Sequence, residues 1–329
     1  MNLDSVRALK ENLMSTVVPA FVETLHTARA FGVPAAPLGG GEQNPRAFAL
    51  GVAPSKKGFK LAIRIQHRAL QESPEVEKIK RRAKGEVDVR YIGRVHIRVA
   101  GNRTRQRPLL VGYSIGHYKI TAGTLGAFVS AEQGGAPAIL SNNHVLANEN
   151  RAQTGDAILQ PGKYDDGKNP ADSVATLAKF IRLRRNGVNL VDAAIAAVNE
   201  GIKIDKATLP GIGKLNGVSA TPAVGELKVR KTGRTTGATS GRVTAFELDR
   251  VMVDYDGDTL RFDNQLEIEG DNQLFSSGGD SGSLIVDSDN LAVALLFAGS
   301  DQGGAHGYGT TYANPIQTVL DALGVKLEF

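Results

Sequence analysis

The stretch that most limits what this chain can fold into is Ser276-Ser277-Gly278-Gly279-Asp280-Ser281-Gly282-Ser283, followed at once by Leu284-Ile285-Val286. Glycines on both sides of one serine let the backbone turn sharply, and the apolar run after them reads as a short buried strand. Two N–H groups, those of Gly279 and Ser281, are then left pointing into open space. This geometry suits attack of a hydroxyl on a carbonyl, with the two N–H groups receiving the oxyanion. Read structurally, the same residues are an ordinary Gly/Ser turn before a strand. A nucleophile here needs a base and an orienting acid from elsewhere in the chain.

Both residue types occur in suitable places. Ala138-Ile139-Leu140-Ser141-Asn142-Asn143-His144 puts a histidine just past a short apolar strand, where a loop can present it. Val191-Asp192-Ala193-Ala194-Ile195-Ala196 puts a lone acid at the head of a small-residue apolar strand, where it is either paired or costly to bury. His26, His67, His96, His117 and His306 sit in no comparable motif and read as surface or packing residues. The three segments follow one another in the order His, Asp, Ser, and in that order they resemble the chymotrypsin-like serine proteases. A fourth segment, from Val229-Arg230-Lys231 to Ser240-Gly241-Arg242-Val243, is similar to a strand pair of the bacterial streptogrisin and alpha-lytic branch. The flanks that carry a disulfide in that branch read Arg230 and Ser240 here. The tail Ala313-Asn314-Pro315-Ile316 is similar to the closing helix of the same branch.

The resemblance spans residues 119–329 and implies an all-β double six-stranded barrel. The first barrel would cover about 119–210, the second about 217–312, and a helix would follow over 314–323. It implies a serine endopeptidase with Ser281 as nucleophile, His144 as general base and Asp192 as its orienter. Gly279 and Ser281 would form the oxyanion hole. Asp280 is expected to be buried, and Lys231 stands where the alpha-lytic branch places a basic partner for that acid, so no cleavage of the chain would be needed to shape the loop. Phe275, Ser276, Ser277 and Gly278 with Phe297, Ala298 and Gly299 would wall the substrate pocket. No acid stands at the position matching Phe275, so the pocket is not expected to demand Arg or Lys.

Residues 1–110 fall outside the resemblance and read as a small α/β domain. The spacing of Val6, Leu9, Leu13, Val17 and Phe21 predicts an amphipathic helix over 4–31, capped by Asp4 or Ser5. A Gly/Pro-rich linker follows over Pro34–Pro45. Strands are predicted at 47–52 and 60–66 about the Lys56-Lys57-Gly58 turn, a charged helix at 72–84, and a strand at 87–99 with Gly93 as a bulge. This region carries 20 Lys and Arg against 9 Asp and Glu, while residues 111–329 carry 19 against 25. One half could attract the other, or the basic half an acidic partner or nucleic acid. The cations at 78, 80, 81, 82 and 84 lack interleaved aromatics, which argues against nucleic acid. The region is expected to be a retained docking or regulatory domain, with a removable pro-region as the rival.

The expected partner of the whole is a protein or peptide substrate, with no membrane and no cofactor. Asp254-Tyr255-Asp256-Gly257-Asp258 has a calcium-loop flavour, but its glycine is fourth rather than sixth. A hairpin turn at Asp256-Gly257 is the expectation, and no metal. The chain has no cysteine and no signal-like start, so a cytoplasmic enzyme is expected. The rival functions are a silent protease-fold scaffold that binds peptides, and nucleic-acid binding through residues 1–110.

Overall fold

The computed structural model describes residues 1–19, 48–66, 68–93, 95–96, 102–120, 122–131, 134–220, 225–271 and 273–329. The far end of the predicted first helix, the Pro34–Pro45 linker, His26, His67 and residues 97–101 lie outside the described residues. Helix α1 (Leu3–Thr16) is capped by Asn2, whose side chain accepts from the Ser5 N–H, rather than by Asp4 or Ser5. It buries Val6 and Leu13, and Lys10 beside them reaches Asp249 at 3.0 Å. Strands β1 (Phe48–Ser55) and β2 (Gly58–Ile65) form an antiparallel hairpin about Lys56-Lys57. Helix α2 (Pro74–Arg82), capped by Ser73, returns the chain to β3 (Val87–Tyr91), which lies parallel to β2. Gly93 then turns in the left-handed region, at φ 65°, and β4 (Val95–His96) leaves this sheet altogether.

The first large sheet is built from β5 (Ser114–His117), β6 (Gly123–Thr124), β7 (Ala127–Ala131), β8 (Ala138–Ser141), β9 (Ala157–Leu159), β10 (Ser173–Phe180) and β11 (Ala194–Val198). Its order is β7-β8-β11-β10-β9-β5-β6, with the C-terminal strand Val325–Glu328 added outside β7. No ladder joins β6 to β7 among the described residues, so this sheet curls without closing. The second unit does close. Strands β12 (Lys228–Gly233), β13 (Gly237–Asp249), β16 (Gln265–Gly270), β19 (Thr311–Pro315), β18 (Leu291–Ser300) and β17 (Leu284–Val286) pair in a ring in that order, the last returning to the first. The hairpin of β14 (Val251–Tyr255) and β15 (Asp258–Phe262), with Gly257 at φ 86°, projects from that ring. The fold is thus a chymotrypsin-like double barrel, one barrel a closed six-stranded ring and the other a curled half-barrel in place of the expected second ring.

The final helix, Ile316–Leu323, starts after Pro315 and ends at Gly324, which adopts φ 69°. It lays Ile316, Val319, Leu320 and Leu323 into the core of the first sheet. The N-terminal sheet is continuous with the second unit, because β1 pairs with the far end of β13 through Leu50↔Asp249 and Val52↔Phe246. Val6 and Val52 accordingly share one apolar cluster with Val229, Val243 and Ile268. Burial of this kind stabilises by about 25 cal/mol per Å² of apolar surface, which favours one packed body over two loosely tethered ones. Among the described residues no helix is long and apolar enough to cross a membrane.

Candidate active site

Strand β8 is buried along its length and delivers the chain into a single helical turn, Asn143–Leu146, that carries His144. Asn143 fixes this turn by donating to Ile181 O at 2.7 Å and to Asn150 Oδ1 at 2.8 Å. Asp192 stands just before β11 and is fully buried. Its main chain is held on both sides, since its N–H donates to Asn314 Oδ1 at 3.0 Å and its carbonyl accepts from Asn142 Nδ2 at 2.7 Å. Its carboxylate meets the histidine twice. Oδ2 lies 2.5 Å from His144 Nδ1, and Oδ1 accepts the His144 N–H at 3.2 Å. Nδ1 facing a carboxylate fixes the proton on that nitrogen and leaves Nε2 as the free, basic one.

Ser281 lies on the turn between Gly279 at φ 94° and Gly282 at φ 93°, conformations that glycine adopts without strain. Gly282 N–H donates to Leu296 O, and Thr124 Oγ1 donates to Gly279 O at 2.7 Å. The N–H groups of Gly279 and Ser281 donate to nothing among the described residues. Ser281 is 1% exposed and its Oγ points at Phe297 O, 3.4 Å away, rather than at the imidazole. The two loops nonetheless flank one residue. A Cβ built on Gly123 would lie 2.4 Å from Val145 Cγ2, next to His144, and 2.9 Å from Ser281 O.

Asp280 is fully buried and its carboxylate is saturated. Oδ1 accepts from the N–H groups of Thr235 and Thr236, at 2.7 and 3.2 Å, and Oδ2 from Thr236 Oγ1 and the Ser277 N–H, at 2.7 and 2.9 Å. Lys231 Nζ stands 3.4 Å from Oδ2, also fully buried, and donates to Gly237 O and Thr236 Oγ1. Burial pulls the Lys231 ammonium below the ordinary lysine value, while Asp280 pulls it back up. Gly233 makes room for this pair, because a Cβ there would come within 2.5 Å of Asp280 Oδ1. Arg230 and Ser240, the positions of the missing disulfide, face each other across β12 and β13.

The predicted pocket residues are placed unevenly. Phe275 packs in a core with Val229 and Ile268, and Phe297 is buried against Phe262 with ring centroids 4.7 Å apart. Both rings thus face the interior. Ser276 bonds Thr311 across 2.6 Å, and of the seven residues only Ser277 is partly exposed. One side of β18 pairs with β19 throughout its second half. Its other side pairs first with β17, then meets the Ser281 turn, and at Gly299 and Ser300 pairs with His96 and Val95 of β4.

One neighbour of the Asp–His pair has no signature in the sequence. Tyr255 Oη donates to Asp192 Oδ2 at 2.6 Å, and its ring meets the His144 ring edge-on at 6.0 Å. The Asp256-Gly257 hairpin places it there, and only that hairpin was legible. Among the described residues no cluster of three or more His, Asp or Glu could hold a metal ion.

Comparison with known proteins yields structures only. Three bacterial proteases are similar to this chain. Cellulomonas bogoriensis chymotrypsin is 21% identical, with a TM-score of 0.45 over 67% of this chain and 97% of its own. Thermobifida fusca protease A is 16% identical, with 0.46 over 66% and 97%. Nocardiopsis protease is 16% identical, with 0.47 over 67% and 98%. No family model matches the sequence, and no curated protein matches it significantly.

Proposed function

We propose that this chain is a serine endopeptidase. Ser281 attacks a peptide carbonyl, His144 takes its proton and returns it to the leaving amine, and Asp192 holds the imidazole and stabilises its charged form. The N–H groups of Gly279 and Ser281 receive the oxyanion. The observation that carries this reading is the buried Asp192–His144 pair, on a turn that packs with the Ser281 turn around Gly123, together with the unengaged N–H groups of Gly279 and Ser281. For the first step the Ser281 hydroxyl leaves Phe297 O and turns to His144, a tightening that catalytic hydrogen bonds commonly undergo when substrate binds. Lys231 and Asp280 hold the oxyanion turn in shape without a new chain terminus. The lack of cysteine supports a reducing, intracellular setting.

The N-terminal region is read as a docked regulator. An extended peptide entering the site would add as a strand to the edge of β18 beyond Ser281. That edge is held by β4 at Gly299 and Ser300. A second reading, a silent scaffold that binds strands, draws on the same pairing and on the hydroxyl directed at Phe297 O. A fluorophosphonate probe, small enough not to need the β18 edge, separates the two. The proposal expects labelling of the full-length chain at Ser281, none in Ser281→Ala, and a rate lower by about 10²-fold or more in His144→Ala. A folded wild-type chain that is never labelled would leave only the scaffold.

A further inference from the structure

We propose that Tyr255 is a positioning residue for Asp192, holding its carboxylate in the one orientation that meets the imidazole. The inference rests on the reading of Ser281, His144 and Asp192 given above. A fully buried carboxylate needs donors for its lone pairs. Asp192 has three, and two of them belong to His144 itself. The third, the Tyr255 hydroxyl, is the one that comes from outside the pair. Without it Oδ2 is fixed only by the group it is meant to fix.

The phenol is itself held. Its ring stacks on Phe262 at 6.0 Å with planes 20° apart and stands edge-on to His144. Its strand, β14, is gripped by β15 on one side and by β4 on the other, the latter through Val253↔Val95 and Asp254↔His96. Burial, with the Asp192 charge, holds the hydroxyl well above the ordinary tyrosine value, so it stays protonated and donates. The hairpin thus carries a donor from the second barrel onto an acid of the first. The charged groups around it are accounted for. Arg151, beyond the His144 turn, pairs with Asp256 at the hairpin tip at 3.1 Å and reaches Glu149 at 3.6 Å. Glu149 is half-buried, and burial raises its carboxyl while His144 lowers it. Asn142 and Asn314 bind only the main chain of Asp192.

The donor has two effects on the imidazole. It keeps Oδ2 aimed at Nδ1, which favours the tautomer with Nε2 free. It also shares the carboxylate charge, so the imidazolium is held less tightly than by a carboxylate bonded to His144 alone.

The test uses full-length Tyr255→Phe and the pH dependence of the fluorophosphonate labelling rate at Ser281. That rate is counted per reactive molecule and so does not depend on how much of the sample is folded. The expected result is a rate about tenfold lower, the loss of one hydrogen bond to a charged group. The acid limb moves to higher pH, because the imidazolium gains the undivided carboxylate. Phe262→Leu, which loosens the ring stack but keeps the hydroxyl, leaves that limb in place. Wild-type rate and limb in Tyr255→Phe would overturn the proposal, as would an equal limb shift in Phe262→Leu. If the wild type is not labelled at all, the endopeptidase reading fails instead. The role of Tyr255 is then read from the proton resonance of the His144 Nδ1–H bond, which shifts in Tyr255→Phe if the hydroxyl holds Asp192 and stays fixed if it does not.

Discussion

The half-barrel and the closed barrel differ in where they find partners for the charges they bury. In the first, Asp192 is met by His144 from 48 residues earlier and by Tyr255 of the second unit, Asp165 by Arg234 of the second unit, and His117 on β5 by Asp156. The second draws on the N-terminal region. Arg64 on β2 is fully buried against Glu267 on β16, with Nε 2.8 Å from both carboxylate oxygens and Asp88 taking a further guanidinium nitrogen at 2.7 Å. Arg90 pairs with Glu269 two residues along β16. Arg7 and Lys10 on α1 reach Glu247 and Asp249 on β13. The charge imbalance between the two stretches of sequence is therefore matched in part across an internal interface. The difference teaches that the second barrel has an outer face completed by α1 and β1–β4, whereas the half-barrel is completed by the C-terminal helix and strand.

The largest expected effect breaks that dependence directly. Arg64→Ala leaves Glu267 fully buried with only Thr244 Oγ1 and Tyr312 Oη to satisfy it. Stranding one member of a buried ion pair costs about 3–5 kcal/mol, which should show as a large drop in the urea midpoint. Arg64→Met combined with Glu267→Leu removes both charges and should recover most of the loss, because an apolar pair of similar volume is often tolerated. A midpoint unchanged in Arg64→Ala would mean that β2 does not cover β16, and the contrast between the barrels would vanish.

Much of the site was legible because local chemistry dictates it. Glycines flanking Ser281, an apolar strand before His144 and an acid heading the run at 192–196 are each short-range patterns, and so is the Asp256-Gly257 turn. What could not be read depends on partners with no local mark. Tyr255 and Asp192 are 63 residues apart, and Arg64 and Glu267 are 203 apart. Nothing near Tyr255 distinguishes a phenol that packs from one that donates. Phe275 and Phe297 are expected from their positions to wall a pocket, but both rings pack into the cores, a choice of face that no local pattern announces. The shift in charge near residue 110 looked like a boundary, yet opposite charges are also what draw two stretches together. Strand β4, two residues long, carries too little pattern to announce that it would leave its own sheet and insert between β14 and β18.

A smaller effect sharpens the comparison on the closed barrel. In Lys231→Met, Asp280 keeps four donors from Thr235, Thr236 and Ser277, so the cost should be only about 1–3 kcal/mol, less than for Arg64→Ala. Its signature is in the pH dependence. Burial holds the native ammonium below the ordinary value of 10.5, against the pull of Asp280. Between that lowered value and about 10.5 the unfolded chain binds more protons than the native one, so unfolding free energy rises with pH across this window. Lys231→Met should flatten the rise, measured as urea midpoints from neutral to alkaline pH. A rise that persists in the variant would place its source elsewhere.

The half-barrel holds the counterpart, with the smallest expected effect. His117 is buried on β5, with Nε2 3.0 Å from Asp156 Oδ2 and Nδ1 accepting the Lys119 N–H at 3.2 Å. That pattern belongs to a neutral ring, its proton on Nε2. Burial lowers its pKa from 6.5, while Asp156 opposes the shift. As pH falls below about 6.5 the unfolded histidine takes up a proton that the native one resists, so stability is lost until the lowered native value is passed, and then levels off. His117→Gln keeps a donor for Asp156 and should leave stability at pH 8 within about 1 kcal/mol while removing this acid slope. A slope of unchanged size in the variant would assign it to another group. The lysine window closes at about 10.5, and the histidine window opens downward from about 6.5. A single titration of unfolding free energy therefore reads the closed barrel on its alkaline arm and the half-barrel on its acid arm, each checked by its own variant.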